Sequence, residues 1–295
     1  MTSTFDYGIA PPGFRLPEAT RLGRVRLQVA SLERSLPFYE GVLGFRTLHR
    51  DGDVAVLGAH RDDTPLVELR ARDGVHPVPR RGLLGLYHVA ILLPDRASLG
   101  RFVAHLGTLG ARAGMSDHLV SEAVYLQDPD NLGIEVYADR PRAAWRHEGR
   151  ELTMATLPLD APAVVAAGAT APWTGMPAGT TIGHVHLHVG DIDRASRFYH
   201  EALGFDRTVW SYPGALFLAA GGYHHHLGTN TWAAHAPPAG KDDARLLDWE
   251  IVVPDASDVA DAAASLEGAG HVVTNGTNSV EVADPWGTVV RVVVG

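Results

Sequence analysis

The 295-residue sequence contains no cysteine. This absence excludes disulfide scaffolds, thiolate zinc sites, iron–sulfur clusters and cysteine nucleophiles. Any metal ion must therefore be held by histidine, aspartate, glutamate or backbone oxygen. Sixteen histidines are present, so the positions of these side chains decide whether the chain can form a metal site.

Basic clusters and long apolar runs are also lacking. The net charge is −9, and the arginines are spread along the chain, so no basic face is available for nucleic acid phosphates. No segment approaches 18 uninterrupted apolar residues, which argues against a membrane partner. Residues 1–20 lack the basic start and apolar stretch of a signal peptide. These features predict a cytoplasmic enzyme with neither a nucleic acid nor a membrane partner.

One helical motif occurs twice. Residues 32–45 return as residues 192–205, and both copies contain Phe-Tyr-x-x-x-Leu-Gly-Phe. Each copy has apolar residues at helical spacing, ends on a glycine suited to a helix C-terminus, and follows an alternating run typical of a strand. The repeat predicts that a strand–helix unit has been duplicated within the chain.

A second pair of similar segments completes the pattern. Residues 86–95 resemble 247–255, and each is followed by a helical stretch (about 98–109 and 257–268), a glycine and further strands. An Asp-Pro turn precedes the last strand in each copy. The sequence therefore predicts an α+β fold of four βαβββ modules. Their ranges are 22–70, 84–138, 182–232 and 246–295.

The same pattern predicts a domain organisation. Residues 1–20 form an N-terminal extension, 21–140 the first half with two modules, 141–181 a linker region, and 182–295 the second half with the other two modules. The linker is richest in alanine, proline and glycine between residues 160 and 179, as expected of a connector.

These motifs resemble those of the vicinal oxygen chelate superfamily, which includes glyoxalases, bleomycin-resistance proteins and extradiol dioxygenases. The segments 85–94, 134–141 and 221–228 are similar to those of two-domain bacterial catechol 2,3-dioxygenases. The resemblance implies that the modules form two cup-shaped half-barrel domains. It also implies that metal ligands lie on the first and last strands of the modules.

Four residues occupy equivalent positions on the first strands of the modules. Each lies seven residues before the residue that ends its strand, namely Ser31, Asp95, Asp191 or Asp255. The four residues are Arg24, His88, His184 and Asp248. The last-strand positions, seven after the aspartate of each Asp-Pro turn, hold Glu135 and Arg291. Arginine cannot ligate a metal because it is always protonated. His88, Glu135 and His184 remain as predicted metal ligands, the donor set of the facial triad that binds Fe(II). Asp248 is a rival ligand of a second site, but Arg291 across that cup indicates a degenerate half.

The distribution of these ligands has a structural consequence. Two lie in the second module and one in the third, so these two modules must share a cup. The first and fourth modules would then form the other cup.

The resemblance also implies the chemistry. An extradiol dioxygenase uses Fe(II), or alternatively Mn(II), to cleave catechol or a substituted catechol with O2 to a ring-opened semialdehyde. The expected partners are thus a small aromatic diol and dioxygen, and the sequence leaves a homo-oligomer open. Tyr125 matches the family's active-site tyrosine, and His118 resembles its substrate-side histidine.

A run of three histidines supplies candidates for the acid/base. If residues 224–226 lie on the last strand of the third module, alternation places His224 and His226 on one face and His225 on the other. Comparison of Leu-Gly-Thr-Asn with last strands of related folds points His226 inward. Either His224 or His226 is therefore the predicted acid/base.

Two other functions remain open. A glyoxalase-type lyase or isomerase would use Zn(II) or Ni(II), with His226 as a fourth ligand beside His88, Glu135 and His184. A drug-binding resistance protein would need no open metal triad.

Overall fold

The structure is a computed structural model that describes residues 7–295. The first six residues of the predicted N-terminal extension lie outside the described residues. The rest of the extension lies along the third module, where Ile9 bridges Arg207 and the backbone N–H of Leu16 donates to the carbonyl of Gly204 at 2.9 Å.

The first two modules each follow the predicted strand–helix–strand–strand–strand order. The first contains β1 (Arg21–Val29), α1 (Leu32–Leu36) continued by a π-helical turn (Pro37–Val42), β2 (Arg46–Asp51), β3 (Val54–Gly58) and β4 (Val67–Ala71). The second contains β5 (Gly85–Leu92), α2 (Arg96–Leu109), β6 (Gly114–Asp117), β7 (Ser121–Gln127) and β8 (Gly133–Asp139).

The predicted linker has secondary structure of its own. It contains a 3-10 turn (Arg142–Ala144), β9 (His147–Glu148), β10 (Glu151–Leu152), β11 (Leu157–Pro158) and α3 (Ala161–Gly168). Asp160 caps the helix N-terminus: its side chain accepts a hydrogen bond from the backbone N–H of Ala163 and so satisfies one free donor of the first turn.

The last two modules repeat the order. The third contains β12 (Thr181–His188), α4 (Ile192–Ser196) continued by a π-helical turn (Arg197–Ala202), β13 (Asp206–Val209), β14 (Ala215–Ala219) and β15 (Leu227–Asn230). The fourth contains β16 (Arg245–Val253), α5 (Ala256–Gly268), β17 (Val273–Gly276), β18 (Ser279–Ala283) and β19 (Val289–Val294).

Two large curled sheets pair the modules across the sequence. One has the strand order β11-β6-β7-β8-β5-β12-β15-β14-β13, and the other has the order β17-β18-β19-β16-β1-β4-β3-β2. The second and third modules thus share one sheet through the antiparallel pair β5–β12, and the first and fourth share the other through β1–β16. This confirms the predicted pairing of modules and the four-module α+β fold. The boundaries proposed for the two halves, 21–140 and 182–295, stay a prediction.

The repeated motifs join consecutive modules. The hydroxyl of Tyr39 lies 3.2 Å from Asp128 Oδ2, and that of Tyr199 donates to Asp284 Oδ2 at 2.8 Å. The other carboxylate oxygen of each aspartate accepts backbone N–H groups of its own turn. A buried tyrosine therefore binds the carboxylate oxygen of each turn aspartate that accepts no hydrogen bond from the turn itself. This contact explains why the Phe-Tyr and Asp-Pro motifs occur together.

Helices α2 and α3 pack backbone to backbone. A Cβ atom at Gly100 would lie 2.1 Å from the carbonyl oxygen of Val164, so only glycine permits this approach. We expect Gly100→Ala to lower the free energy of unfolding by about 1–3 kcal/mol, because an extra methyl overpacks the interface. Gly107→Ala is a matched control in α2, where a Cβ meets nothing within 4 Å. It should instead stabilise the protein by up to about 1 kcal/mol. Urea denaturation of both variants measures the difference, and equal effects would contradict the packing argument.

The longest helix among residues 7–295, α2, has 14 residues. No helix in this part of the chain is long and apolar enough to cross a membrane.

Candidate metal centre

Three adjacent strands bring the predicted ligands together. β5 pairs in parallel with β8 and antiparallel with β12, so that Ala90 stands opposite both Glu135 and His184. His88 lies two residues before Ala90 and therefore on the same face of β5. Ligand atoms of His88, Glu135 and His184 all lie within 4.8 Å of one another.

The ligand atoms form a small triangle. His88 Nε2 lies 2.9 Å from Glu135 Oε2, His184 Nε2 lies 3.2 Å from the same oxygen, and the two Nε2 atoms are 3.3 Å apart. Transition metals bind imidazole and carboxylate at about 2.1 Å, which separates two ligands at right angles by about 3.0 Å. Three donors at these separations, two of them imidazoles, fit a single transition-metal ion.

The protonation states of the buried groups also suit a cation. Burial lowers the pKa of His184 to about 4, so its imidazole is neutral and keeps a lone pair at Nε2. Burial alone would raise the pKa of Glu135, but its electrostatic interactions and hydrogen bonds with His184 and His88 outweigh burial and hold that pKa well below its usual range. A neutral imidazole beside a carboxylate is the form in which these side chains bind metals.

The triad opens into a cavity of about 380 Å³. This volume lies at the small end of the range for sites that bind single small molecules. Both modules of the sheet line the cavity, and the linker closes it with Met154, Ala155 and Thr156. A neighbouring cavity of about 690 Å³ shares four lining residues with it: Tyr87, His88, Tyr125 and Trp232.

His118 and Tyr125 lie in the cavity wall as a hydrogen-bonded pair. His118 Nδ1 is 2.8 Å from the carbonyl oxygen of Ala155, which can only accept, so Nδ1 carries the hydrogen. His118 Nε2 then accepts from the hydroxyl of Tyr125 at 2.6 Å. Tyr125 stands opposite Glu135 on the neighbouring strand, and burial, then the charge of Glu135, raise the pKa of its hydroxyl well above 10. The phenol is therefore protonated.

The predicted placement of the histidine run is wrong. Strand β15 begins at Leu227, and residues 221–226 form a turn in which Gly221 and Gly222 have positive φ. Strand alternation does not apply to a turn, and His225, not His224 or His226, lines the cavity. Its ring lies 4.1 Å from that of His184 between centroids. Burial, followed by the neighbouring His184, lowers the pKa of His225 well below 6.5.

His226 and His224 lie elsewhere. His226 lines a separate cavity of about 200 Å³ and accepts a hydrogen bond at Nδ1 from the backbone N–H of Ala220. Among the described residues, the one group of side chains able to hold a metal comprises His88, Glu135 and His184. The structure therefore does not bring His226 into the position of a fourth ligand. His224 lies behind His225, with its Nδ1 2.7 Å from His225 Nδ1.

Comparison with known proteins agrees with the fold. Residues 21–136 and 181–292 match the profile of the Glyoxalase/Bleomycin resistance protein/Dioxygenase superfamily. The chain belongs to this superfamily. It is 42% identical over 272 residues to a protein named catechol-2,3-dioxygenase from Bacillus subtilis (strain 168), covering 91% of this chain and 95% of that one.

Solved structures of the superfamily share the architecture. A structure from Bacillus subtilis subsp. subtilis str. 168 superposes with a TM-score of 0.66 at 14% identity, covering 95% of this chain and 86% of that one. Glyoxalase I from Zea mays superposes with a TM-score of 0.57 at 18% identity, covering 94% and 92%. At such identities the likeness concerns the fold alone.

The cup formed by the first and fourth modules holds Arg24, Asp248 and Arg291 at the positions equivalent to His88, His184 and Glu135. Arg26 lies in a cluster with three carboxylates: it bonds Asp248, its Nη2 is 2.8 Å from Glu250 Oε1, and its Nε is 3.3 Å from Glu68 Oε2. Arg24 and Arg291 flank the cluster, with Arg291 Nε 3.1 Å from Asp248. Guanidinium groups neutralise these carboxylates, and Asp248 is paired with Arg26 and Arg291 in place of a metal ion.

The sequence assigned no definite role to several residues that lie in the cavity wall or behind it. Asp139, four residues after Glu135, accepts a hydrogen bond from His224 but carried no sequence signal beyond its closeness to the predicted ligand. Tyr212 and Phe217 line the cavity from the third module. His186 also lines it, while its Nε2 accepts from Asn230 Nδ2 at 3.0 Å.

Proposed function

We propose that this chain is an extradiol ring-cleaving dioxygenase that acts on catechol or a substituted catechol. It would hold Fe(II) with His88, Glu135 and His184. The reaction breaks the aromatic carbon–carbon bond beside the diol and places both atoms of one O2 in a ring-opened semialdehyde. Diol and O2 together supply every atom of the product, so no further reductant is needed.

One observation carries the proposal: the two-histidine, one-carboxylate triad opens into the same cavity as His118, Tyr125 and His225. The similarity to a protein named catechol-2,3-dioxygenase over 91% of this chain supports the same activity. When bound at the triad, Fe(II) would bring diol and dioxygen together at one centre and pass electrons between them.

His118 and Tyr125 would handle the diol proton. The hydroxyl of Tyr125 can pass its proton to His118 Nε2 while it takes up the proton of a diol hydroxyl, so that the diol oxygen becomes anionic, His118 becomes an imidazolium and Tyr125 stays a phenol. Because the Nδ1–H of His118 is held by the Ala155 carbonyl, the imidazole is fixed with its acceptor nitrogen toward Tyr125.

His225 replaces His224 and His226 as the proposed acid/base. It lies on the third module, whereas His118 and Tyr125 lie on the second, so the two proton-handling groups approach a bound diol from different parts of the sheet. Burial keeps its imidazole neutral. The neutral ring can take up a diol proton at Nε2, and the lowered pKa makes the resulting imidazolium a ready donor of that proton to the product oxygen, a contribution worth about 10²–10⁴ in rate. The Phe217 ring, edge-on at 4.9 Å, holds the imidazole in place.

Oxygen uptake tests the proposal. We expect protein loaded with Fe(II) under anaerobic conditions, then given catechol and air, to consume one O2 per diol and to form a yellow ring-opened product. Parallel loading with Mn(II), Zn(II) and Ni(II) identifies the active metal, and a panel of alkyl- and halocatechols identifies the preferred diol.

Two outcomes would overturn it. Metal-dependent isomerisation of a hemithioacetal without oxygen uptake would indicate a glyoxalase-type enzyme. A purified protein that retains no transition metal but binds a drug would indicate a sequestering protein.

A further inference from the structure

A chain of hydrogen bonds leads from Asp139 to the cavity. Asp139 Oδ1 lies 2.8 Å from His224 Nε2, and His224 Nδ1 lies 2.7 Å from His225 Nδ1. His224 is fully buried and His225 is 5% exposed, so water does not compete for the contact between the two rings, whereas the Asp139 side chain is 26% exposed. His225 lines the cavity, and no hydrogen bond links its Nε2 to the described part of the chain.

The direction of each hydrogen bond follows from the donors available. A carboxylate can only accept, so His224 Nε2 carries a hydrogen. When His224 carries a single N–H, that hydrogen is therefore at Nε2 and its Nδ1 is an acceptor. His225 Nδ1 must then carry the hydrogen, because two lone pairs at 2.7 Å would repel. The remaining nitrogen of His225, Nε2, is left with a lone pair.

We propose that Asp139 and His224 are positioning residues that hold the His225 imidazole as its Nδ1–H tautomer, with the Nε2 lone pair available to the cavity. The proposal deepens and rests on the proposed function, in which His225 Nε2 exchanges a proton. It concerns only the position of the hydrogen on a neutral ring.

Further contacts fix Asp139 itself. It is the last residue of β8, the strand that carries Glu135, so one rigid element holds both the metal ligand and the start of the chain. Tyr223 Oη lies 3.2 Å from Asp139 Oδ1 and 2.7 Å from Tyr137 Oη. A Cβ at Gly183 would lie 1.8 Å from Tyr137 Oη. The glycine before His184 therefore makes room for the Tyr137 hydroxyl that contacts Tyr223.

Nitrogen NMR tests the tautomer directly. In the full chain loaded with diamagnetic Zn(II) and labelled with ¹⁵N-histidine, we expect His225 to show a protonated Nδ1 and an unprotonated Nε2. His225→Gln assigns the signals. Asp139→Ala removes the acceptor and should give a mixture of both His225 tautomers, whereas Asp139→Glu keeps a carboxylate and should restore the Nδ1–H form. Asp51→Ala is the control and should leave the His225 tautomer unchanged, because it makes the same chemical change at the exposed last residue of β2 on the other sheet.

Kinetics of the Fe(II)-loaded protein provide the second measurement. Asp139→Ala should lower kcat about 10- to 100-fold with KM changed less than about threefold, since the tautomer affects proton transfer and not diol binding. Asp139→Glu should recover most of kcat.

A wild-type His225 with a protonated Nε2 would overturn the proposal, as would an Asp139→Ala protein with unchanged tautomers. A protein that shows the expected tautomers but cleaves no catechol would refute the proposed function and leave the tautomer assignment standing.

Discussion

Replacing His184 with alanine is expected to abolish metal retention and ring cleavage together. The imidazole supplies one of three converging donors, 3.2 Å from Glu135 Oε2. Loss of a residue that only orients a ligand already costs 10–100-fold in metal affinity, so loss of the ligand itself should cost at least about 100-fold. Elemental analysis after gel filtration measures the bound metal, and we expect one equivalent per wild-type chain and none per His184→Ala chain.

The exposed residue His49 on β2 provides a matched control. His49→Ala makes the same chemical change on the other sheet, and we expect it to retain one equivalent of metal. Circular dichroism establishes whether His184→Ala is folded. A folded His184→Ala protein that still binds stoichiometric metal or forms yellow product would remove His184 from the site.

Replacing Arg26 with methionine is expected to destabilise the protein by about 3–5 kcal/mol. Arg26 is buried and contacts Asp248, Glu250 and Glu68. Methionine fills a similar volume but leaves these carboxylates without the central cation of their cluster. Breaking a buried ion pair on one side is costly because the remaining charge stays desolvated. Chemical denaturation measures the change in the free energy of unfolding.

Arg70→Met is the control for this experiment. Arg70 Nε is 2.6 Å from Glu68 Oε1, but its side chain is 52% exposed. Solvent screens such a pair, so we expect a loss of at most about 1 kcal/mol. Similar losses in the two variants would show that burial of the cluster contributes little.

Much of the fold could be predicted because its modules are repeated. Both the Phe-Tyr helix and the Asp-Pro turn occur at equivalent positions, and the pairing of the second module with the third followed from the ligands assigned to each. The linker could not be predicted in this way because it has no second copy. Its helix α3 forms where Gly168 and Gly100 allow two helices to touch, a tertiary contact with no local signal.

The same distinction applies to the site. His88, Glu135 and His184 lie within strands β5, β8 and β12, where a period of two predicts which side chains face the cup. His225 lies in a turn with two positive-φ glycines, so the period is lost just before β15 begins. The partnership of Asp139 with His224 spans 85 residues of sequence, and such a contact follows only from the packed structure.

The β5–β12 pair also bears on the stability of the protein and on its lifetime against degradation. His88 and His184 are separated by 96 residues, so an ion held by both would tie distant parts of the chain together. A ligand that binds only the native state adds RT ln(1 + [L]/Kd) to stability, about 4 kcal/mol when free ligand is a thousand times Kd. Under metal starvation the polypeptide would open more often and be degraded faster, so its abundance would follow the supply of the ion.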